Sequence, residues 1–307
     1  MLAAKYIYLI QAHENPAQIA RLIQSLVDSQ TVFYIHVDLK SDLAQFEFLR
    51  EHGQVEFTDE RVDCIWGDFS QIEATLCLVK KALENHTTGM CTLISGSHYP
   101  IKSRKTIQHF LDANYDTHFL ECCDAKKLWP KFSLRTDYYK INYSSRRKDY
   151  VLLKGLQLTA VSQFFKGNIS VSELFKTSFV KRVPPQNMRF YGGSQWWSMS
   201  MEHLALIQHF IETYRDELFS YFEYSLCADE FFFQSIVKHI ADVNSAHFSD
   251  STTYVSWDHS KCKTPITFRS DLQELMQQGA HKLFARKFDT TVDATILDEI
   301  DKIIQEQ

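Results

Sequence analysis

The stretch KYIYLIQAHENPAQIARLIQSLVDSQTVFYIHVD, residues 5–38, decides the fold. Residues 5–12 form a short apolar run, and residues 32–37 (VFYIHV) form a second that ends at Asp38. Between them Pro16 can open a helix, since proline lacks an N–H that the first helical turn leaves unused anyway. Ile19, Leu22, Ile23 and Leu26 then recur at helical spacing. Strand, helix, strand is the repeating unit of a parallel sheet, and the pattern continues. Residues 63–66 read as a third strand, followed by a helix from Ser70 to about Leu83. Residues 91–95 (CTLIS) read as a strand, 103–111 as a helix and 117–121 (THFLE) as a strand. Parallel α/β sheets bind ligands beyond the carboxyl ends of their strands, which directs attention to His13, Asp38 and the 96–102 loop. No Gly-x-Gly-x-x-Gly or Walker loop occurs there, so dinucleotide and P-loop chemistries are disfavoured.

Regular structure resumes with strands expected over 188–194 and 196–200 and helices over 202–214, 229–240 and 293–307. The 307 residues carry no internal repeat, linker or low-complexity segment, which predicts a single domain, 1–307. Its nucleotide-binding half is expected over 1–125, and an acceptor-binding and catalytic half with a C-terminal helix over 126–307. A net charge of −5 excludes the global basic excess of a dedicated nucleic-acid binder. Seven cysteines, odd in number and without a Cys-x-x-Cys pair, read as reduced thiols of a cytoplasmic protein. The opening residues show no basic n-region and no long apolar stretch, so neither a signal peptide nor a transmembrane helix is expected.

One segment departs from the rest. Residues 146–189 hold nine Lys/Arg against two acidic residues, and apolar and basic residues alternate through it. It reads either as a connecting excursion packed on the domain or as a surface that meets an anionic membrane or a lipid-linked acceptor.

Taken in order, YLIQAH (8–13), YIHVDLKS (34–41), WGDFSQIEATL (66–76), LISGSHYPIKS (93–103), YGGSQWWSMS (191–200), CADEFFFQSI (227–236) and LFARKFD (283–289) resemble the core-2/I-branching N-acetylglucosaminyltransferases and peptide O-xylosyltransferases. The resemblance implies a GT-A glycosyltransferase fold, α/β with a Rossmann-like mixed sheet flanked by helices. It also implies an inverting enzyme that moves N-acetylglucosamine or xylose from a UDP-sugar to a glycan hydroxyl with no divalent metal or other cofactor. No Asp-x-Asp ends an apolar strand in the nucleotide half, in line with that family.

By the same resemblance Asp38 would meet the nucleoside over a floor of Ala12 and His13, although an aspartate after a strand also serves as a turn residue. Glu230 would be the general base, with Asp229 beside it in substrate binding. An acidic pair opening a helix would alternatively serve the helix dipole alone. Lys287 and Arg286 would neutralise the leaving diphosphate, with Lys263 as the upstream cation, Lys261 and Arg269 being alternatives. Gly193, Ser194, Trp196 and Trp197 would bind substrate, one tryptophan serving the core, and Trp257 would lie on the acceptor side. Where the family reads Gly-x-Asp-x-Pro this chain has Gly96-Ser97-His98-Tyr99-Pro100, so His98 stands at a donor-sugar position. A metal-dependent GT-A transferase and a non-catalytic carbohydrate-binding protein are the alternatives. Context suggests a bacterial enzyme of surface-glycan assembly, cytoplasmic or peripheral at the inner face of the plasma membrane, with a glycan or lipid-linked glycan acceptor and no nucleic-acid partner.

Overall fold

The computed structural model describes residues 5–244, 247–258, 264–269 and 272–305, so Lys261 and Lys263 lie outside the described residues. Chain order opens with β1 (Tyr6–Ala12), α1 (Pro16–Leu26), β2 (Thr31–Val37), β3 (Val55–Phe57), α2 (Ser70–Asn85), β4 (Met90–Ser95), β5 (His98–Pro100), α3 (Arg104–Ala113), β6 (Thr117–Phe119) and β7 (Cys123–Asp124). It continues through α4 (Ala125–Leu128), α5 (Ser133–Thr136), β8 (Tyr139–Asn142), β9 (Tyr150–Leu153), α6 (Leu158–Phe165), α7 (Val171–Phe179), β10 (Tyr191–Gly192), β11 (Ser198–Ser200), α8 (Met201–Thr213) and α9 (Arg215–Phe222). The last elements are α10 (Phe232–Asn244), β12 (His247–Ser249), β13 (Thr253–Val255), β14 (Trp257–Asp258), β15 (Thr264–Pro265), α11 (Leu272–Gln278), β16 (Phe284–Arg286) and α12 (Thr295–Gln305).

A seven-stranded mixed sheet runs β12-β6-β11-β4-β1-β2-β3. Strand β1 pairs in parallel with β2 on one side and β4 on the other, which is why it is apolar but for Gln11 and buried along its whole length. Its alternate residues serve opposite faces. Tyr6, Tyr8, Ile10 and Ala12 pack with Ile19, Leu22, Ile23 and Leu26 of α1 and with Ile296, Leu297 and Ile300 of α12. Ile7 and Leu9 pack with Ile72 and Val79 of α2, Leu204 and Ile207 of α8 and Ile236 of α10. The expected α/β class, a mixed sheet flanked by helices in one domain, is what the chain adopts. Strands from both sides of residue 125 interleave, since the antiparallel β11 lies between β4 and β6. A smaller sheet, β13-β16-β5, sets Arg286 opposite His98.

Several local expectations are corrected. The third strand is β3, and residues 63–66 are not a strand: Arg61 donates to the carbonyls of Val37, Asp38 and Ser41, and Val62 N–H donates to His36 Nε2, so this segment is tied across the end of β2. Within the expected strands at 188–194 and 196–200 only β10 and β11 are regular. The helix expected from 229 begins at Phe232; Asp229 and Glu230 lie ahead of it in a single 3-10 turn, Ala228–Glu230. That turn follows Cys227, whose φ of 51° reverses the chain. Residues 146–189 contain α6 and α7, which close a small core of their own around Ile141, Leu153, Ala160 and Ile169.

Candidate active site

The carboxyl ends of β1, β2 and β4 form one rim of the site. Asp38 N–H donates to the Ala12 carbonyl at 2.8 Å, fastening the first two strand ends together. Asp38 is nearly buried, and its Oδ1 accepts from Lys40 N–H at 2.9 Å, so it acts as the turn residue while Oδ2 has no protein partner among the described residues. His13 stands on the surface with Nε2 3.1 Å from Glu14, and its carbonyl accepts from Ser41 Oγ. His36, which carries no role in the sequence reading, is buried and accepts from Val62 N–H, and burial lowers its imidazole to about 4. It is therefore neutral and orders the segment beside Asp38.

Strand β4 ends at Ser95, and the chain turns back into β5. His98 there is wholly enclosed; Nδ1 accepts from the backbone N–H of Ser95 at 2.9 Å, which leaves the ring proton on Nε2, a buried donor without a partner among the described residues. Burial first, then the positive charge of Arg286, holds this imidazole well below its ordinary value. Its ring meets Trp196 edge-on, with centroids 4.6 Å apart, and the Arg286 guanidinium lies 4.8 Å from the same indole.

Arg286 and Lys287 are neighbours in sequence and both are withdrawn from solvent. Burial lowers Arg286 to about 10; Lys287 is lowered by burial, then by Arg286 and Arg147, with Glu14 opposing at longer range. Neither makes an ion pair among the described residues, and Arg286 Nε has no hydrogen-bond partner there. Two adjacent cations, both only partly exposed and without a counter-charge among the described residues, could hold an anion between them. The Lys287 backbone is fixed on both sides, N–H to the Ile266 carbonyl and carbonyl from Phe268 N–H.

The second rim is the turn after α9. Cys227 N–H donates to the carbonyl of Gly67, itself at φ 68°, which docks the turn on the loop before α2. Glu230 Oε2 accepts from Arg135 Nη1 at 2.6 Å, and the Arg135 guanidinium stacks 3.9 Å from the Trp129 ring. Glu230 Oε1 has no protein partner among the described residues. Asp229 Oδ1 is enclosed without a partner, and burial, then the charge of Glu230, raises its carboxyl above the ordinary range.

Gly192 and Gly193 join the two rims. A side chain at Gly192 would overlap the Trp129 ring and one at Gly193 the Glu121 carbonyl, so only glycine fits. Gly193 N–H donates to the Glu230 carbonyl at 2.9 Å, Ser194 N–H to Glu121 Oε2 at 2.9 Å, and the Ser194 carbonyl accepts from Gln234 Nε2 at 2.7 Å. Three residues on is Trp196, against Arg286. Three extended residues span at most about 10–11 Å, so the strip that meets the Glu230 carbonyl at one end and Arg286 at the other is short.

Of the remaining expected residues, Trp197 is packed in the core against Phe233, and Trp257 is half-exposed at the start of β14. Sequence reasoning missed Arg135, which holds Glu230, Trp129, on which that guanidinium stacks, and the pairing of Arg147 with the exposed Trp66 ring at 4.1 Å. Trp66 stands in one of the quoted segments, but nothing in the sequence tied it to a cation 81 positions away. Among the described residues no three His, Cys, Asp or Glu side chains converge as a metal group would need.

A family model described as Core-2/I-Branching enzyme matches residues 7–279. Xylosyltransferase 2 of Rattus norvegicus is 22% identical over 314 residues, covering 96% of this chain and 33% of that one. Xylosyltransferase 2 of Homo sapiens is 21% identical, with the same 96% and 33%. Xylosyltransferase 1 of Canis lupus familiaris is 20% identical over 307 residues, covering 92% and 29%. The chain thus spans about a third of the length of the curated relatives it matches.

Proposed function

The chain belongs to the Core-2/I-Branching enzyme family, and on that premise we propose that it is a glycosyltransferase moving a sugar from a UDP-sugar to a hydroxyl of a glycan acceptor. The observation that carries this reading is the adjacent, partly exposed cations Arg286 and Lys287, without an acidic partner among the described residues, Arg286 lying at one end of a short strip whose other end meets Glu230. When the bond between the anomeric carbon and the diphosphate breaks, charge collects on the phosphate oxygens, and fixed cations in a poorly solvated site stabilise it without reorganising. Lys287 and Arg286 take that role in place of a divalent metal.

At the other end the acceptor hydroxyl is a poor nucleophile until its proton is removed in the transition state. Glu230 is the base: Arg135 holds Oε2, and Oε1 is left to take the proton. Attack from the face opposite the departing diphosphate inverts the anomeric centre. Asp38 contacts the nucleoside through its unengaged oxygen, beside Ala12 and His13. Gly193 and Ser194 let backbone approach the sugar and Trp196 walls it, with His98, enclosed behind that wall, supporting the indole by its edge-on contact. Asp229 lies beside the base on the substrate side, and Trp257 meets the acceptor. UDP-N-acetylglucosamine and UDP-xylose are the first donors to examine.

The test is release of UDP from each donor by chelator-treated protein, with and without acceptor. Turnover that persists in chelator supports the reading. Turnover abolished by chelator and restored by Mn²⁺ overturns its metal independence, and absence of transfer and hydrolysis with every UDP-sugar overturns the enzyme.

A further inference from the structure

Helices α6 and α7 each turn one face inward, Ala160 and Phe164 from the first and Leu174 and Thr177 from the second, around the small core with Ile141, Leu153 and Ile169. Their other faces are apolar too, although they face water. On α7 Val171, Phe175 and Phe179 stand at i, i+4 and i+8, which is a single stripe, and all three are exposed. On α6 Leu158 and Phe165, seven residues apart, are 90% and 81% exposed. Exposed Leu156, Val180 and Val183 extend the apolar surface beyond the helix ends. Aromatic side chains left in water along two adjacent helices represent burial not yet realised, and such patches mark a surface that meets something.

The cations around the stripes identify the partner. Arg182 is consumed by structure, donating to the carbonyls of Tyr138, Tyr221 and Tyr224. Lys154 is paired with Asp137, and Lys176 lies over the Tyr224 ring. Lys166 and Lys181 are exposed, make no ion pair among the described residues, and stand one and two residues along the chain from Phe165 and Phe179. Glu173 is occupied in the capping box of α7. A chain with a net charge of −5 therefore concentrates free positive charge around its most exposed apolar side chains. A second copy docked by a two-fold contact on this face would set these cations against their own equivalents. An anionic lipid surface satisfies both parts, accepting the apolar tips into the acyl boundary and the cations among its phosphates.

We propose that the α6–α7 face is a peripheral membrane-docking surface for anionic phospholipid, with Leu158, Phe165, Val171, Phe175 and Phe179 entering the interface and Lys166 and Lys181 beside its head groups. Among the described residues no helix is long and apolar enough to cross a membrane, so this is contact from one side. The proposal does not rest on the transfer reaction, because its readout is binding alone.

The full chain is to be sedimented with phosphatidylcholine vesicles, with and without phosphatidylglycerol, at low and high salt. Expected is binding to the phosphatidylglycerol vesicles that weakens in salt. It should fall by about tenfold or more in the combined variant Leu158→Ser, Phe165→Ser, Phe175→Ser and Phe179→Ser, and likewise in Lys166→Glu with Lys181→Glu. Because these side chains are exposed, melting temperature and UDP affinity should match the parent, which separates lost docking from lost folding. Absence of binding by the parent at low salt overturns the proposal, as does equal binding by the four-serine variant. A concentration-dependent parent dimer that the four serines abolish also overturns it, assigning the face to a second copy.

Discussion

Two carboxylates adjacent in sequence have opposite environments. Glu230 is held by a guanidinium, whereas Asp229 is enclosed with one oxygen unbonded. Glu230→Gln keeps the size and the capacity to pair with Arg135 but cannot take a proton, so turnover should fall by about 10²–10⁴-fold while UDP affinity is retained. Lys287→Ala should do the reverse in part, weakening UDP and cutting turnover by about 10²–10³-fold; isothermal titration with UDP beside steady-state rates distinguishes the two. Asp229 predicts a stability effect instead. A carboxyl raised on folding binds its proton more tightly in the folded state. Its contribution is fully present below the ordinary value of about 3.9 and is lost as pH rises through the raised one. Asp229→Asn, which cannot ionise, should therefore melt above the parent at neutral pH, with the gap closing near about pH 4.

The strip β10 and the residues after it show what a local element does that its sequence does not announce. Gly193 and Ser194 read in sequence as small residues admitting a substrate; in the structure Gly193 is also pressed by Glu121, and Gly192 before it by Trp129. Gly193→Ala should destabilise by about 1–3 kcal/mol through overpacking, and should lower turnover further by displacing the carbonyl of Glu230. Denaturant melts and rates at saturating donor measure the two effects. The start of α10 was misplaced for a related reason. Asp229 and Glu230 followed by an apolar run carry the composition of a helix opening, but the left-handed Cys227, docked through Gly67, inserts a tight turn first. Likewise Asp63 to Trp66 reads as a strand from its short apolar run, whereas the segment is tethered through His36 and Arg61, which only the fold brings close. Strands β1, β2 and β4 are legible because burial on both faces leaves a continuous apolar run, and helices α1 and α12 because burial on one face imposes a helical period. The partners Arg135, Trp129 and Arg147 are not, since ion pairs and ring contacts across long separations impose none.

At the scale of the molecule, the boundary expected at residue 125 between a nucleotide half and a catalytic half runs through one sheet. Strand β11 fills the gap between β4 and β6, so residues 1–125 alone lack a central strand. That fragment is expected to stay unfolded, and the full chain to melt in one cooperative transition; circular dichroism of both tests it. Residues 146–189 are hard to read in sequence because their inner core gathers Leu153, Ala160 and Ile169 with Ile141 from the preceding strand, too sparse a set to leave a pattern. The threading of β11 also bears on synthesis. Strand β4 leaves the ribosome about 100 residues ahead of the strand that closes its edge, which at typical elongation rates is about 5–20 s. Throughout that interval a nascent polypeptide carries a bare, apolar strand margin open to pairing with neighbours on the same polysome. Translation that pauses before Ser198 prolongs the hazard, and translation that continues past it ends it.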